Sequence, residues 1–140
     1  MSELTDLYQK YLNMDDEERN DIALHTMNDI FNYLNQYYDE DEVIEYVVRM
    51  FSVFASADGT IHLAEYELFK YTTGSNVSYD DFYEATKEGT HEDKIRELIE
   101  VLETESEDFI SDVFVLAICI FTANGTLTVK EQEFIDKYFL

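Results

Sequence analysis

The chain has 140 residues, 46% of them hydrophobic and 15% aromatic, which is enough apolar material for the core of one ordinary domain. Asp and Glu number 32 against 9 Lys and Arg, a net charge of −23. A surface of that sign excludes ordinary binding to DNA phosphate or anionic lipid, both of which need clustered basic side chains, and favours a cation or a basic protein partner.

With no proline and four glycines, helical spacing runs almost uninterrupted and period-two alternation is nowhere sustained. Ser2 to Asn13 predicts a short helix with Leu4, Leu7, Tyr8, Tyr11 and Leu12 on one face. Asp16 to Tyr38 predicts a long one, its apolar stripe marked by Ile22, Ile30, Tyr33, Leu34 and Tyr37. A third runs from Glu40 to about Ala55, with Val43, Ile44, Val47, Met50, Phe51 and Phe54 inward. Leu63 to about Tyr71 follows and stops at Gly74. Ser78 opens a helix to Glu88 and Thr90 opens the next, each with an aspartate three residues on. Glu107–Thr122 and Val129–Tyr138 complete an all-α helical bundle of about seven to eight helices in a single domain. The longest apolar run, Val113–Phe121, is about half the ~20 residues a membrane span needs. It holds the one cysteine, Cys119, which reads as a buried core thiol. No signal-peptide pattern opens the sequence. The expectation is a cytoplasmic protein with no membrane insertion.

Shifting the chain by 66 residues lays Ala57-Asp58-Gly59-Thr60-Ile61 on Ala123-Asn124-Gly125-Thr126-Leu127, and Glu65 on Glu131, without a gap. The same shift lays helix Val43–Phe54 on Phe109–Ile120 and the acidic run Asp39-Glu40-Asp41-Glu42 on Glu105-Ser106-Glu107-Asp108. The repeated unit is an acidic start, an apolar helix, an Ala-Asp/Asn-Gly turn and a second helix. It occurs at about 39–73 and about 105–140, two helix–turn–helix repeats expected to pack with pseudo-twofold symmetry. Glycine after Asp or Asn suits a helix ending in a left-handed residue. Thr128 with Glu131 three residues on is a capping box; its first-copy counterpart His62 is a poor cap, although Glu65 is retained.

The turns resemble EF-hand loops in one respect: with Gly59 at the sixth position, Asp58, Ile61 and Glu65 fall where a calcium loop wants them. The first position, however, is Phe54 in one copy and Ile120 in the other. Loops that place a core residue there do not supply the 6–8 oxygens of a calcium site. Asp58, Glu65, Asn124 and Glu131 remain the best metal candidates, as hard oxygen ligands suited to Ca²⁺, Mg²⁺ or Mn²⁺. The competing reading is turn chemistry for Asp58 and Asn124 and capping for Glu65 and Glu131. Asp39, Glu40, Asp41 and Glu42, with Glu105, Glu107 and Asp108, either offset helix dipoles or form a surface for a basic partner.

A paired apolar helix followed by Ala-Asp-Gly-x-Ile-x-x-x-Glu resembles the TerB-like family, the tellurite-resistance protein B domain. Phe54-Ala55-Ser56-Ala57-Asp58-Gly59-Thr60-Ile61 with Glu65, and Ala123-Asn124-Gly125-Thr126-Leu127 with Glu131, carry the resemblance. It covers roughly residues 40–140. It implies a helical domain of two related units, acidic and metal-binding surfaces, a stress-response or adaptor role, and no enzymatic activity. Asn124 departs from the pattern where Asp is expected.

The three histidines, His25, His62 and His91, show no zinc spacing. No nucleophile elbow, phosphate loop or dinucleotide fingerprint is present. The tyrosine-rich stretches Tyr33, Tyr37, Tyr38 and Tyr79, Phe82, Tyr83 read as core or interface. Three functions follow: a non-enzymatic binding or adaptor module, an acidic mimic of nucleic acid that occupies a DNA-binding protein, and an enzyme built on a carboxylate-bound metal.

Overall fold

Several helix starts in this chain are set by short polar side chains that accept the first free N–H groups. In the computed structural model Asp15 accepts from the Glu18 N–H at 2.8 Å, Asp39 from Glu42 at 2.9 Å, and Ser78 and Ser106 from Asp81 and Phe109 at 3.2 Å. The structure describes residues 3–57, 62–87, 92–123 and 128–138. Among them the chain forms eight helices and no strand: α1 (Glu3–Asn13), α2 (Asp16–Leu34), α3 (Glu40–Ala55), α4 (Leu63–Thr73), α5 (Tyr79–Thr86), α6 (Glu92–Leu102), α7 (Glu107–Thr122) and α8 (Val129–Tyr138). None is long and apolar enough to cross a membrane. Gly74 ends α4 in the left-handed region, with φ 71°, and its N–H bonds the Lys70 carbonyl. The two Ala-Asp/Asn-Gly turns (Asp58, Gly59, Asn124 and Gly125), the Thr90 start and His91 lie outside the described residues.

α3 and α7 are the centre of the bundle and pack on each other. Positions brought together by the 66-residue shift are buried in both: Val43 and Phe109, Val47 and Val113, Met50 and Leu116, Phe54 and Ile120. α1 and α2 rest on α7, α5 and α6 rest on α3, and α4 packs on α2 and α5. Each half therefore supplies the cover for the other half's central helix. Two aromatic clusters lock this arrangement, mostly edge to face. Phe54, Phe121 and Phe134 join α3, α7 and α8 with ring centroids 5.8–6.1 Å apart. Phe51, Phe69 and Phe82 join α3, α4 and α5 at 5.0–6.3 Å. Cys119 is fully buried, as its apolar run implied, and burial pushes its thiol pKa up to about 12.

Two expectations need correction. α2 ends at Leu34, not Tyr38. Its final bonds tighten, Gln36 N–H to Tyr33 and Tyr37 N–H to Leu34, and the chain turns so that Asp39 can cap α3. Tyr37 thus leaves the apolar stripe and is 65% exposed. Ile44 is 52% exposed, because the buried side of α3 repeats through Val43, Val47, Met50 and Phe54 and leaves position 44 at its edge.

A residue with no local signal joins α1 to α2. Arg19 is 2% exposed. Its Nε and Nη2 donate to the Tyr11 carbonyl at 3.1 and 2.6 Å, and Nη2 donates to the Met14 carbonyl at 2.9 Å. Those carbonyls lie at the C-terminal end of α1 and in the turn beyond it, where intrahelical partners run out. Asp16 pairs with the outer edge of the guanidinium at 2.9 Å.

Candidate functional site

The two acidic helix starts, far apart in sequence, meet at one end of the bundle. Tyrosines bring them together. The turn after α2 carries Tyr38 beside Asp39, and the Tyr38 hydroxyl donates to Glu105 Oε1 at 2.9 Å. From the last turn of α2 the Tyr33 hydroxyl accepts the Ser106 N–H at 3.2 Å. The Tyr33 ring stacks on Phe109 with centroids 4.4 Å apart, and Tyr46 meets Phe109 and Tyr38 edge-on at 6.0 and 5.8 Å. The starts of α3 and α7 are therefore tied through aromatic packing and two hydrogen bonds.

Capping fixes part of this face. Asp39 and Glu42 form a reciprocal box, the Asp39 N–H donating to Glu42 Oε1 at 3.2 Å while Asp39 accepts from the Glu42 N–H. Glu40, Asp41, Glu107 and Asp108 are exposed and Glu105 is half-buried. The sequence holds no Lys or Arg between residues 20 and 48 or between 97 and 129, so both acidic starts lie in stretches without a local counter-charge. Two further carboxylates extend the field along α2 and α7. Burial, then the neighbouring charges of Asp29 and Asp108, holds the Asp112 carboxyl above the usual carboxylate range. The hydrogen bond to Glu105, then burial, raises the Tyr38 phenol. Burial, then Glu105, raises the Tyr46 phenol strongly. Beside these groups an open cleft of about 180 Å³ runs between α3 and α6, lined by Tyr38, Glu42, Glu45, Tyr46 and Arg49 with Leu98 and Val101. Such a face attracts and orients positive charge.

Of the four metal candidates the structure describes two, Glu65 and Glu131. Glu65 and Glu131 are each 2% exposed, and each spends an oxygen on its own helix start. Glu65 Oε1 accepts the His62 N–H at 2.8 Å and Glu131 Oε1 accepts the Thr128 N–H at 2.9 Å, with the Thr128 hydroxyl returning a bond to the Glu131 N–H. Asp58 and Asn124 lie outside the described residues. Among the described residues no group of three His, Cys, Asp or Glu stands together to hold a metal. His25 is exposed and His62 half-buried.

Sequence reasoning placed the acidic runs but not the tyrosine bridge between them. The usable signal was Tyr38 immediately before Asp39, although nothing local shows that its hydroxyl reaches across to Glu105. Asp29 and Asp112 carried no signal beyond charge in an already acidic chain. Compared with known proteins, the chain matches no family model, no curated protein and no solved structure.

Proposed function

We propose that this protein is a non-enzymatic binding module of TerB-like type, whose acidic face docks a basic segment of a partner protein. The observation that carries the reading is the junction itself: Tyr38 to Glu105, and Tyr33 to Ser106, hold Glu40, Asp41, Glu107 and Asp108 at one end of the bundle. Dipole compensation accounts for a carboxylate at each helix start taken alone. It does not account for joining two starts from opposite halves of the chain. Rigid presentation of several carboxylates lowers the ordering cost a partner meets on binding and steers its approach.

A deca-lysine peptide titrated into ¹⁵N-labelled protein tests this. Amide shifts should concentrate at the starts of α3 and α7, and the affinity should fall steeply with added salt. Shifts scattered over all helices would overturn the reading. The net charge of −23 also supports a second reading, an acidic mimic of nucleic acid. Under that reading the protein would compete with duplex DNA for a DNA-binding protein, and charges all around the bundle would contribute.

A further inference from the structure

Two apolar cavities on the other side of α3 form one groove. A cavity of about 250 Å³ is walled by Phe31 and Ile44, and one of about 150 Å³ by Val77 and Phe82; Val48 and Phe69 line both. A closed apolar cavity of about 150 Å³ takes a benzene ring, so each section is of a size for a large apolar side chain. The floor is rigid, because Phe69 and Phe82 belong to the aromatic cluster on Phe51. The rim is pinned as well: the Tyr66 hydroxyl donates to the Val77 carbonyl at 2.8 Å, and the Val77 N–H donates to the Ser75 hydroxyl at 3.2 Å. Ile44, at the mouth, is 52% exposed.

Charge decides the occupant. On the exposed side of α3, Asp41 and Glu45 stand at helical spacing with Ile44 and Val48, so acidic groups border the apolar mouth along one edge, and Glu45 also lines the cleft toward α6. Glu45 also pairs with Arg49 at 3.4 Å, a part-exposed contact of little strength. A second copy of this chain would bring another −23 against the first. We infer that this groove receives an amphipathic helix of a partner protein, its apolar stripe in the two sections and its Lys and Arg residues against Asp41 and Glu45. Helix-in-groove recognition uses anchors at i, i+3, i+4 and i+7, which suits two joined sections. The inference rests on the reading of a basic protein partner and specifies its form.

The test compares two fluorescein-labelled peptides of identical Leu and Lys composition on the full chain, one with leucines at i, i+3, i+4 and i+7 and one scrambled. The amphipathic peptide should bind at least about tenfold more tightly, a difference of about 1.4 kcal/mol. Ile44→Glu should erase that preference while Ile44→Leu keeps it. Because Ile44→Glu adds negative charge, attraction by charge alone would instead strengthen binding, and because Ile44 is half exposed the variant should keep its helical circular dichroism. Equal binding of the two peptides overturns the groove and leaves the acidic face standing if deca-lysine still shifts the starts of α3 and α7. Ile44-dependent binding without those shifts overturns the acidic face and supports the groove. A self-association that Ile44→Glu dissolves would assign the groove to a second copy. Binding of N-phenyl-1-naphthylamine that the amphipathic peptide does not displace would assign it to a small apolar ligand. Either result overturns the inference.

Discussion

Replacing Arg19 with methionine should unfasten α1. Methionine keeps most of the buried stem and removes the guanidinium, leaving the Tyr11 and Met14 carbonyls without the donors they have now. Each buried acceptor left unmade costs about 1–3 kcal/mol, and relief of burying a charge offsets part of that. The contact to Asp16 adds little, since that side chain is 87% exposed. The net loss should be about 2–4 kcal/mol, lowering Tm by roughly 6–14 °C for a domain of this size. Arg19→Lys should recover part of it, because one ammonium cannot reproduce the planar fork. Cys119 supplies a local readout. It is fully buried on α7, against which α1 packs, and its raised pKa keeps it a thiol at pH 8. Labelling with a disulfide reagent then reports opening. Arg19→Met should speed labelling by more than its loss of global stability accounts for. A loss under about 0.5 kcal/mol, the range of a neutral surface substitution, with an unchanged labelling rate, would refute the role given to Arg19.

Three further outcomes are expected. Glu65→Ala should lose about 1.5–3 kcal/mol, the worth of a hydrogen bond to a charged group, while Glu65→Gln, which can still accept the His62 N–H, should lose clearly less. Urea denaturation in EDTA reads this, and equal losses for both variants would contradict the capping role. Asp112→Asn should raise Tm at pH 7: the folded-state pKa is raised, so the native carboxyl favours stability below its ordinary value and loses that contribution as pH rises through the raised one. The gain should shrink in acid and vanish once both states are protonated; a gain independent of pH would contradict it. The Tyr46 hydroxyl is buried with no hydrogen-bond partner among the described residues. Tyr46→Phe should therefore leave stability unchanged or raise it by up to about 1 kcal/mol, and a loss in thermal denaturation would reveal a bond the fold depends on.

The helices were legible because period, caps and breakers agreed. Asp15, Asp39, Ser78 and Ser106 cap where polar residues precede apolar spacing, and the buried positions of α3 and α7 follow the 66-residue shift. What failed did so where tertiary contact overrides local pattern. Tyr37 continues the apolar spacing of α2, but the turn toward Glu105 ends the helix first. Ile44 is as apolar as its neighbours yet sits at the edge of the buried stripe, beside a groove made by α2, α4 and the segment after it. Arg19 looks like one more surface charge, since its partners are backbone carbonyls and any residue presents those. At the candidate site, charge and position could be read from sequence, whereas the joining of the two acidic starts depends on tyrosine hydroxyls meeting groups 67 and 73 residues away.

Moving charge without changing its amount tests the docking face most directly. One variant neutralises Glu40, Asp41, Glu107 and Asp108 to their amides; the other neutralises exposed Glu17, Asp80, Asp81 and Glu133, leaving the same net charge. Affinity for deca-lysine at fixed salt is then measured for both. The expected result is a loss of about tenfold or more, over 1.4 kcal/mol, in the first variant and a small change in the second. Equal losses would contradict the acidic face and show that total charge alone governs binding.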